Sequence, residues 1–546
     1  MEQARVVVVG AGPAGLVAGL SLEQQGIASI ILEREPGIVE DPRGVYLAAD
    51  AVRILYALGL GPDMPKIGHG ILDVHKDSLQ QTVPTGILQI QPELGCEVES
   101  LRQDGDGAII EYKDSNGSKN TLQTEWLIGA DGKRGVVRKT FLEKVADIRQ
   151  VHSSYRYEGT WIAANLKLSL PTPETHPDFP AWKLGMSPQE VYDLFWPKGW
   201  HFCSPPGKPT ATGRFGPHEQ RYWRIAMGAS HSNDNQDGRQ QWPFTFTHKI
   251  VNRWYHRKTV LIGDAAHVFP PFGGQGIASG IRDAHQLAWR IALIENASSS
   301  NATQLSSDAI LEAWSKERTQ SVADAAYLTK MNGTLCNNAS PMLFTVIHFI
   351  QWVVKLLFPS AEDYDPQALG ERNGMRNLAG GFFLSKHGGG LRIPQVFVDT
   401  IMKGTVKSDE FFVSAPSPMQ ILVLVRGDGK PQSGRHAIRT LLDKHQVPHG
   451  VISPDATSTL SLAPCSPESV GSFAERSVRK ASLTPLRRLN KRQARPGYSV
   501  DVFDTRLGKS TQYVILRPDF YIFATARDER ELGVCLQGLK GMLEVS

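Results

Sequence analysis

Apolar residues near the start of the chain form two short runs separated by a run with helical spacing. Residues 6–9 are all valine, which predicts a parallel strand buried on both faces. Residues 13–25 carry leucine and alanine at helical spacing and end before Gly26, and residues 27–32 form the second apolar run. This order predicts a complete βαβ unit.

The later pattern predicts strands with hairpin turns, followed by a return to helices. Asn116-Gly117 lies between two β-rich runs at 108–112 and 122–128, which is typical of a hairpin. Residues 151–250 are rich in Trp, Tyr and Pro, so we expect an antiparallel sheet inserted between two stretches of the first domain. The remaining predicted elements are helices at 50–58, 276–294, 308–330 and after Asp528, strands at 97–101, 259–262, 420–425, 513–516 and 521–524, and loops or connectors at 297–303, 384–390, 407–418 and 453–495.

Residues 342–358 could be mistaken for a membrane span. His348, Gln351 and Lys355 interrupt this apolar run, which is also shorter than the ~20 residues that a bilayer needs. We favour a buried or half-buried helix. The alternative is a surface helix that dips into lipid or lines the entry to an apolar pocket.

Composition and charge exclude several classes of protein. The 546 residues are 41 % hydrophobic and carry a net charge of only +4, so neither global disorder nor a nucleic-acid-binding surface is expected. No signal peptide or integral membrane span is predicted at the amino terminus. The cysteines lie too far apart for a zinc module or a disulfide framework, which indicates a reducing compartment and a cytoplasmic location; they are Cys96, Cys203, Cys336, Cys465 and Cys535.

The first motif that carries chemistry is GAGPAG at residues 10–15. It lies between the valine strand and a helix, and Glu33 follows about twenty residues later, as a dinucleotide-binding unit requires. Gly10 makes the turn, Gly12 lets a pyrophosphate approach the backbone, and Gly15 allows the helix to pack on the strand. The helix start offers partial positive charge to phosphates, and Glu33 can accept hydrogen bonds from ribose hydroxyls.

Two further motifs follow later strands. Residues 127–132 (LIGADG) lead an apolar strand into an acidic turn at Asp131, although a plain turn explains this segment equally well on its own. Residues 260–267 (VLIGDAAH) precede a Pro/Gly loop at 270–276 (PPFGGQG) and a helix. Unblocked backbone N–H groups at such a helix start suit an anion or a polar ring edge.

Together these motifs resemble the class A flavoprotein monooxygenases, the para-hydroxybenzoate hydroxylase and phenol hydroxylase group. The resemblance covers about residues 5–60, 125–140 and 255–330. Residues 516–521 (LRPDFY) are similar to the strand that closes the thioredoxin-like domain of phenol hydroxylases, and 391–395 resemble the connector into it. Without a CxxC pair that domain is expected to serve packing or dimerisation.

The resemblance implies an α/β fold with a Rossmann-like FAD-binding domain, an inserted, mainly antiparallel β-sheet substrate domain and a C-terminal thioredoxin-like domain. The expected division is 1–150 and 251–400 for the two parts of the FAD-binding domain and its helical region, 151–250 for the substrate domain and 415–546 for the C-terminal domain.

The resemblance also implies where FAD binds. Gly10, Gly12, Gly15 and Glu33 would hold the ADP half, Arg43 would reach the phosphates, and Asp131 and Asp264 match the DG and GD motifs of the family. The loop at 270–276 would lie beside the isoalloxazine. The complete predicted cofactor set is Gly10, Gly12, Ala14, Gly15, Glu33, Arg34, Arg43, Asp131, Gly263, Asp264, Pro271, Gly273, Gly274, Gly276 and Ile277.

The function implied is that of an FAD-dependent, NAD(P)H-consuming monooxygenase of secondary metabolism. One oxygen atom of O2 would pass through a flavin C4a-hydroperoxide to a phenolic or polyketide-like aromatic substrate. A Baeyer–Villiger or epoxidising reaction on the same scaffold is the alternative chemistry. A small-molecule aromatic partner is expected, nucleic acid and metal are not, and a homodimer stays open.

The sequence indicates less about the catalytic and substrate-binding residues. No catalytic residue is assigned, and His267 is interpreted as part of a buried turn rather than as a catalytic group. An aromatic cluster could line a pocket or form ordinary sheet core, and one residue of 155–157 could steer a phenolate. The cluster comprises Trp182, Tyr192, Phe195, Trp196, Trp200 and Phe202.

The chain departs from the family pattern between Gly61 and Cys96. The family has several strands and a helix there, and residues 91–94 (QPEL) could open that helix. A crossover between parallel strands needs about ten or more residues, but a strand is predicted at 97–101. We therefore expect a missing helix or an altered local topology, and an inactive flavin-binding homologue is a second alternative.

Overall fold

The structure is a computed structural model. It describes residues 2–38, 44, 46–68, 91–152, 158–202, 209–228, 243–270, 273–298, 306–337, 342, 345–346, 349–350, 352–353, 356, 374–375, 377–400, 404–413, 417–426, 434–462, 479–484, 489, 499 and 501–544.

The strands, in chain order, are β1 (Glu2–Val9), β2 (Ser29–Glu33), β3 (Glu93–Leu94), β4 (Glu97–Asp104), β5 (Gly107–Lys113), β6 (Lys119–Gly129), β7 (Gln150–His152), β8 (Glu158–Lys167), β9 (Trp200–Phe202), β10 (Thr210–Phe215), β11 (Tyr222–Gly228), β12 (Pro243–Thr247), β13 (Lys249–Val251), β14 (Tyr255–His256), β15 (Thr259–Leu261), β16 (His267–Val268), β17 (Phe397–Thr400), β18 (Gly404–Lys407), β19 (Gln420–Val425), β20 (Ser458–Ser461), β21 (Arg479–Leu483), β22 (Tyr513–Leu516) and β23 (Ile522–Ala526).

The α-helices are α1 (Pro13–Gln24), α2 (Ala49–Ala57), α3 (Met64–Ile67), α4 (Glu143–Ala146), α5 (Pro188–Phe195), α6 (Gln275–Ser298), α7 (Ser307–Asn337), α8 (Ser408–Val413), α9 (Arg435–Lys444), α10 (Val502–Leu507) and α11 (Glu529–Glu544). The predicted βαβ unit is present as β1, α1 and β2, and the predicted helix at 276–294 extends over the longer α6.

The first sheet has eight strands, and its main path runs in the order β14, β15, β6, β1, β2, β3. The central strands β15, β6, β1 and β2 are mutually parallel, and the valines of β1 are almost fully buried. The predicted hairpin is present as β5 and β6, which pair antiparallel. A parallel core with helices packed on it places the carboxyl ends of these strands at one edge.

An antiparallel sheet follows in the middle of the chain, as predicted. Its five strands lie in the order β12, β8, β11, β10, β9, and every pairing is antiparallel. A third, small sheet consists of β16, β13 and β7, in that order. Cys336 at the end of α7 packs with Trp161 and Ala211 of the antiparallel sheet.

The C-terminal region forms a seven-stranded sheet in the order β18, β17, β21, β20, β19, β22, β23. Strand β19 pairs parallel with β20 and antiparallel with β22, and β22 pairs antiparallel with β23. Helix α9 connects β19 to β20, and α11 follows β23. The thioredoxin-like description of this region stays a prediction.

The two faces of this C-terminal sheet belong to different cores. Ile421, Val423 and Ile515 pack in one continuous cluster with residues of the first sheet and of α6, whereas Leu422 and Val514 pack in a second cluster. Alternate residues of a strand point to opposite faces. The C-terminal sheet is therefore fused to the first domain through a shared core.

A buried ion network, here called the Glu317 clamp, crosses the same boundary. The Glu317 carboxylate accepts four hydrogen bonds: from Arg517 Nη1 and Nη2 at 2.8 Å each, from Arg290 Nη2 at 2.7 Å and from Phe382 N at 2.8 Å. Arg517 also pairs with Asp519. The side chains of Glu317, Arg290 and Arg517 have no exposed surface. Burial would raise the pKa of Glu317, but the two guanidinium groups outweigh it and lower this pKa to about 2.

Two predicted connecting segments contain regular structure instead. The segment 407–418 includes helix α8, whose Phe411 and Phe412 are buried. The segment 453–495 includes β20 and β21, which pair parallel with each other. Its polar Ser and Arg residues hid these strands, because the alternating pattern of β20 spans only the four residues STLS.

The apolar run 342–358 differs from the favoured prediction of a buried helix. Its described residues are helical, and the side chains of Met342, Phe349, Trp352 and Leu356 are between 59 % and 77 % exposed. Among the described residues, no helix is both long enough and apolar enough to cross a membrane.

The predicted departure between Gly61 and Cys96 falls partly outside the described residues, at 69–90. Residues 93–94 form the short strand β3, which pairs parallel with the end of β2, so the helix that the family pattern would open there does not occur within 91–97. The missing helix or altered local topology that the sequence predicts for the whole segment stays a prediction.

Candidate functional site

Four of the predicted motifs lie at one edge of the first sheet. Gly10 follows β1, Glu33 ends β2, Asp131 follows β6 and Gly263 follows β15. These four strands are parallel neighbours, so their carboxyl ends meet at the same edge. Ligands of open parallel sheets bind at this edge. The structure therefore brings together motifs that are up to about 250 residues apart in the chain.

Glycine occupies three positions of the turn after β1 for different structural reasons. Gly10 has φ +104°, and a Cβ there would lie 2.6 Å from the carbonyl oxygen of Ala130. A Cβ on Gly15 would lie 1.9 Å from the carbonyl oxygen of Gly10. Gly12 differs, because no described atom lies within 4 Å of the position that its Cβ would take. Gly10 and Gly15 serve the fold, whereas the space over Gly12 is open to a ligand.

The start of α1 faces this open space without a neutralising group. Gly12 is the N-cap residue and provides no side-chain cap, and Pro13 begins the helix. All of α1 lies within the described residues, and its first turn holds no acidic side chain. The partial positive charge of a helix start is thus available to an anion such as a phosphate.

Glu33 lies next to the glycine turn. Its Oε2 accepts a hydrogen bond from Ala11 N at 2.5 Å, and its Oε1 accepts one from Glu35 N at 2.9 Å. A carboxylate offers about four lone-pair sites, so two sites are left for other donors. The side chain can therefore fix the backbone turn and accept ribose hydroxyl groups at the same time.

Asp131 holds the turn after β6 with only one of its oxygens. Its Oδ2 accepts a hydrogen bond from Val137 N at 2.8 Å, at the start of the short helical segment Val137–Leu142. Its Oδ1 is buried and has no hydrogen-bond partner among the described residues. Burial raises the pKa of this carboxyl to about 6, and the bond from Val137 only partly offsets the effect. This Oδ1 atom lies against Gly135, where a Cβ would be 2.0 Å from it, so the close approach depends on the glycine.

The turn at Gly263 packs against the start of α1. Gly263 has φ +59°, and its Cβ would lie 2.9 Å from Cβ of Ala14. Gly280 of α6 makes a similar close approach, at 3.0 Å from the same atom. Ala14 thus serves helix packing, and its assignment to cofactor binding stays a prediction. Asp264 is exposed at the sheet edge.

A buried ion network centred on Asp283 holds the Gly263 turn in place. The Asp283 Oδ2 atom accepts hydrogen bonds from Gly263 N at 2.9 Å and interacts with His267 Nε2 at 2.7 Å. Arg318 Nε donates to Asp283 Oδ1 at 2.6 Å. His267 has no exposed surface, as expected for a residue of a buried turn. This arrangement favours a positioning role for His267.

The glycine loop before α6 is tightly packed. Gly273 and Gly274 have φ +100° and +61°, and a Cβ on Gly274 would lie 2.5 Å from the carbonyl oxygen of Tyr46. Gly276 has no described atom within 4 Å of its Cβ position, whereas Ile277 contacts Gly44. Gly274 is therefore constrained by the protein itself, and Gly276 is the open position of this loop.

Of the remaining predicted cofactor residues, Arg34 is described by the structure and Arg43 and Pro271 are not. Arg34 is exposed and pairs with Glu35 at 3.1 Å. Arg43 and Pro271 lie outside the described residues, as do residues 155–157.

The aromatic cluster of the middle sheet is partly core and partly surface. Tyr192 is fully buried and stacks on Trp196 with ring centroids 5.7 Å apart, whereas Phe195 is 53 % exposed. The Phe202 side chain is not among those described. These observations leave both predicted roles, pocket wall and sheet core, in place.

Two concave regions of the described surface lie elsewhere. A groove of about 530 Å³ includes Arg5, Asp104 and Lys258, at the amino end of β1. A cleft of about 270 Å³ lies between the end of α1 and the C-terminal sheet. Since the motifs meet at the carboxyl end of β1, neither region is the predicted site.

Sequence reasoning missed the charged residues that hold the site in place. Asp283 and Arg318 lie on helices α6 and α7, and Asp50 on α2 pairs with Arg282 and Arg392. Charged residues within helices resemble a solvated face, and these partners are 35 or more positions apart. No local spacing signals such a pair.

Comparison with protein families identifies the class of this chain. The model of the FAD binding domain family matches residues 3–71 and 73–326, more than half of the chain. The chain belongs to this family, within the class A FAD-dependent aromatic monooxygenases.

Curated relatives match the same part of the chain. A probable NADH-specific resorcinol 4-hydroxylase of Rhodococcus jostii is 26 % identical over 340 residues, which is 53 % of this chain and 59 % of that protein. A 3-(3-hydroxy-phenyl)propionate/3-hydroxycinnamic acid hydroxylase of Klebsiella pneumoniae is 26 % identical over 357 residues, or 58 % of this chain and 59 % of that protein. The chain thus spans less than two thirds of these relatives.

Solved structures share the fold over nearly the whole chain. An anhydrotetracycline hydroxylase from Streptomyces rimosus is 19 % identical, with a TM-score of 0.58 and 96 % of each chain covered. An aklavinone-11 hydroxylase in complex with FAD and aklavinone is 15 % identical, with a TM-score of 0.61 and complete coverage of both chains. At these identities the likeness concerns the fold alone.

The described residues fit the FAD that this family binds. The uncapped start of α1 under the open space at Gly12 suits a pyrophosphate, and the free lone pairs of Glu33 suit ribose hydroxyls. The buried Oδ1 atom of Asp131 offers a further acceptor. No described side chain fills the space over Gly12.

Proposed function

We propose that this chain is an FAD-dependent monooxygenase that uses NAD(P)H and O2 to hydroxylate an aromatic substrate. The observation that carries the proposal is the meeting of Gly12, Glu33, Asp131 and Asp264 at one edge of a parallel sheet in an FAD-binding family. Relatives named as hydroxylases of resorcinol and of hydroxyphenylpropionate support the aromatic substrate. The name of the first also supports a reduced nicotinamide as electron donor.

The chain's own residues would bind and orient the cofactor. The N–H groups at the start of α1 would hold the pyrophosphate, and Glu33 would accept ribose hydroxyls. We assign residues 273–277 to the isoalloxazine side, with Gly276 as the open position, and Asp264 to the phosphate and ribityl side. When bound and reduced, FAD supplies the reaction with O2, and the protein must exclude water from it.

The overall reaction balances with one O2 and one two-electron donor. An aromatic C–H bond becomes C–OH, NAD(P)H is oxidised to NAD(P)⁺, and the second oxygen atom leaves as water with one proton taken from solvent. Purified protein should retain FAD, seen by its absorbance, and should oxidise NAD(P)H faster when an aromatic substrate is present. Product formed under isotopically labelled O2 should carry one labelled oxygen atom.

A panel of phenols and of polycyclic polyketide-like aromatics would narrow the substrate class. A lactone or epoxide product would favour the Baeyer–Villiger or epoxidising alternative on the same scaffold. Protein that retains FAD but oxidises NAD(P)H with no substrate of the panel would favour the inactive homologue. Protein that binds no FAD after reconstitution would overturn the site assignment itself.

We also propose the division into an FAD-binding domain at 1–150 and 251–400, a substrate domain at 151–250 and a C-terminal thioredoxin-like domain at 415–546. The separate sheets support the division, and the parallel and antiparallel pairings of β19 support the thioredoxin-like description. A cytoplasmic location and a homodimer stay predictions.

A further inference from the structure

Two buried ion pairs join helix α2 to the C-terminal region. Arg53 donates to both oxygens of Asp409 at 2.7 Å each, and Asp50 accepts a hydrogen bond from Arg392 Nη2 at 2.8 Å. The four side chains are between 5 % and 14 % exposed. The two pairs are thus alike in burial and in the boundary that they cross.

Arg392 is bound firmly to the C-terminal sheet. Its neighbour Ile393 donates from its backbone N to Phe520 O at 2.8 Å, and Ile522 N donates to Leu391 O at 2.7 Å. The guanidinium group of Arg392 lies 4.9 Å from the ring centre of Tyr521. The position of Arg392 therefore follows the position of the C-terminal sheet.

The Asp50 pair continues toward the glycine loop before α6. Asp50 accepts hydrogen bonds from Arg282 Nε at 2.6 Å and Nη2 at 2.7 Å. Arg282 Nη1 donates to Gln275 Oε1 at 3.2 Å, and Gln275 Nε2 donates to Gly273 O at 3.1 Å. An unbroken series of contacts therefore runs from Arg392 through Asp50, Arg282 and Gln275 to Gly273.

The charge balance couples the three charged members of this series, Arg392, Asp50 and Arg282. Burial would raise the pKa of Asp50, but Arg282 and Arg392 outweigh it and hold this pKa far below its usual range. Asp50 is thus an anion shared between two buried cations. Loss of Arg392 would leave Arg282 as the one cation bound to Asp50 among the described residues, beside the hydrogen bond from Ala51 N, and Asp50 could then shift with Arg282.

We propose that Arg392 is a positioning residue for the glycine loop before α6. By fixing Asp50, it fixes Arg282 and Gln275, and so sets the orientation of the Gly273–Gly274 peptides. The C-terminal region would then serve the flavin site across the domain boundary. This inference rests on the proposed assignment of residues 273–277 to the isoalloxazine side.

The test compares Arg392→Gln with the matched control Arg53→Gln. Each variant loses one buried ion pair between α2 and the C-terminal region, and Arg53→Gln also removes the hydrogen bond of Arg53 Nη1 to Ile393 O, at 3.1 Å, beside Arg392. Among the described contacts, only Arg392→Gln removes a member of the series that ends at Gly273. The readouts are the Kd of FAD for the reconstituted apoprotein and the Tm of the apoprotein. We expect Arg392→Gln to raise the Kd about threefold to thirtyfold and Arg53→Gln to change it less than about twofold, with similar losses in Tm.

A double-mutant cycle with Gln275→Ala sharpens the test. If the series transmits the effect, the losses of FAD affinity in Arg392→Gln and Gln275→Ala should not add. Arg392→Lys, which keeps the charge and loses the planar fork, should fall between wild type and Arg392→Gln.

The outcomes separate this inference from the proposed function. Equal effects of Arg392→Gln and Arg53→Gln on the Kd would overturn the positioning role, because general docking would then explain both. Additive losses in the double variant would overturn it as well. Wild-type apoprotein that binds no FAD would instead overturn the proposed function, and the matched pair would show no difference.

Discussion

Two buried carboxylates of this chain show opposite behaviour. Glu317 accepts four hydrogen bonds from Arg517, Arg290 and the Phe382 amide, and its pKa is lowered to about 2. Asp131 accepts one from Val137 N, leaves Oδ1 without a partner among the described residues, and its pKa is raised to about 6. The first is fully compensated by the protein, and the second is not.

The same contrast separates the regions in which these residues lie. The Glu317 clamp joins two sheets and leaves no lone pair of its central carboxylate unused, which is what structural integrity requires. The carboxyl edge of the first sheet keeps an uncapped helix start, an open space at Gly12 and spare acceptors on Glu33. The open helix start and the spare acceptors thus lie together at the edge where we place the ligand, whereas the Glu317 carboxylate has no acceptor site left.

We expect the largest effect on the free energy of unfolding from a substitution within the Glu317 clamp. Arg517→Met leaves Glu317 and Asp519 buried with Arg290 as their remaining cation, so we expect a loss of about 3–5 kcal/mol in the free energy of unfolding. Urea or thermal unfolding of the purified variant measures it.

The matched control is Arg527→Met, whose pair with Glu531 lies one helical turn apart and leaves Arg527 66 % exposed. This variant should change the free energy of unfolding by less than about 1 kcal/mol. Should Arg517→Met fail to fold, Arg517→Lys provides an intermediate loss. Equal losses at the two positions would refute the special status of the Glu317 clamp.

On the ligand side, Glu33→Ala should act mainly on cofactor affinity. Loss of an ionised acceptor for ribose hydroxyls should weaken FAD binding by ~1.5–3 kcal/mol, or about tenfold to a hundredfold. Titration of the apoprotein with FAD, followed by flavin fluorescence, gives the Kd. Glu35→Ala, which removes the next acidic side chain, should leave the Kd near that of wild type; a similar loss there would argue for general charge rather than for Glu33.

Gly12→Ala probes the open space directly. The backbone at Gly12 has φ −66° and its Cβ position is free of described atoms, so the apoprotein should keep its stability. A methyl group in the path of a pyrophosphate should weaken FAD binding about tenfold. Gly37→Ala, at another glycine with open surroundings, is the control. Unchanged FAD affinity in Gly12→Ala would place the pyrophosphate elsewhere.

The smallest expected effect concerns pH. Because the pKa of Asp131 in the folded protein is about 6, above the ordinary value of 3.8, the fold favours its protonated form. Its contribution to stability is therefore present at low pH and is lost as pH rises from about 4 to 6. The free energy of unfolding of the apoprotein should fall relative to that of the Asp131→Asn variant over this range, with no further loss above pH 7.

The measurement for Asp131 is the free energy of unfolding of both proteins at several pH values. Asp114→Asn is a control of opposite sign, because hydrogen bonds from Ser118, Asn120 and Asn116 lower the pKa of Asp114. The free energy of unfolding of wild type should rise relative to that of Asp114→Asn as pH increases. A pH-independent difference for Asp131→Asn would mean that its carboxyl is ionised in the fold as freely as in the unfolded chain.

Local signals made much of this molecule predictable. Valine runs, Gly26 and the Asn116-Gly117 turn predicted β1, α1, β2 and the β5–β6 hairpin, because each depends on a few adjacent residues. The meeting of Glu33, Asp131 and Asp264 was implied by the family resemblance rather than by periodicity. The structure explains this meeting, because β15, β6, β1 and β2 are parallel and their carboxyl ends lie at the same edge of the sheet.

Other features depend on distant partners and gave no local signal. The carboxylate of Asp50 meets Arg392 across 342 positions, and Glu317 meets Arg517 across 200. The short strand β20 lies in a polar segment and is set by its pairing with β19 rather than by its own pattern. The close approach of Tyr46 O to Gly274 is a further contact between distant residues that no local pattern signals.

The shared core has a consequence for how this chain can be divided. The family match ends at residue 326, yet Met419, Ile421 and Phe523 pack in the same apolar cluster as the valines of β1. An expression fragment cut at that boundary would expose this surface to water and strip Glu317 of Arg517. The unit recognised by sequence comparison is thus smaller than the unit that folds, and crystallisation or stability work needs the chain through α11.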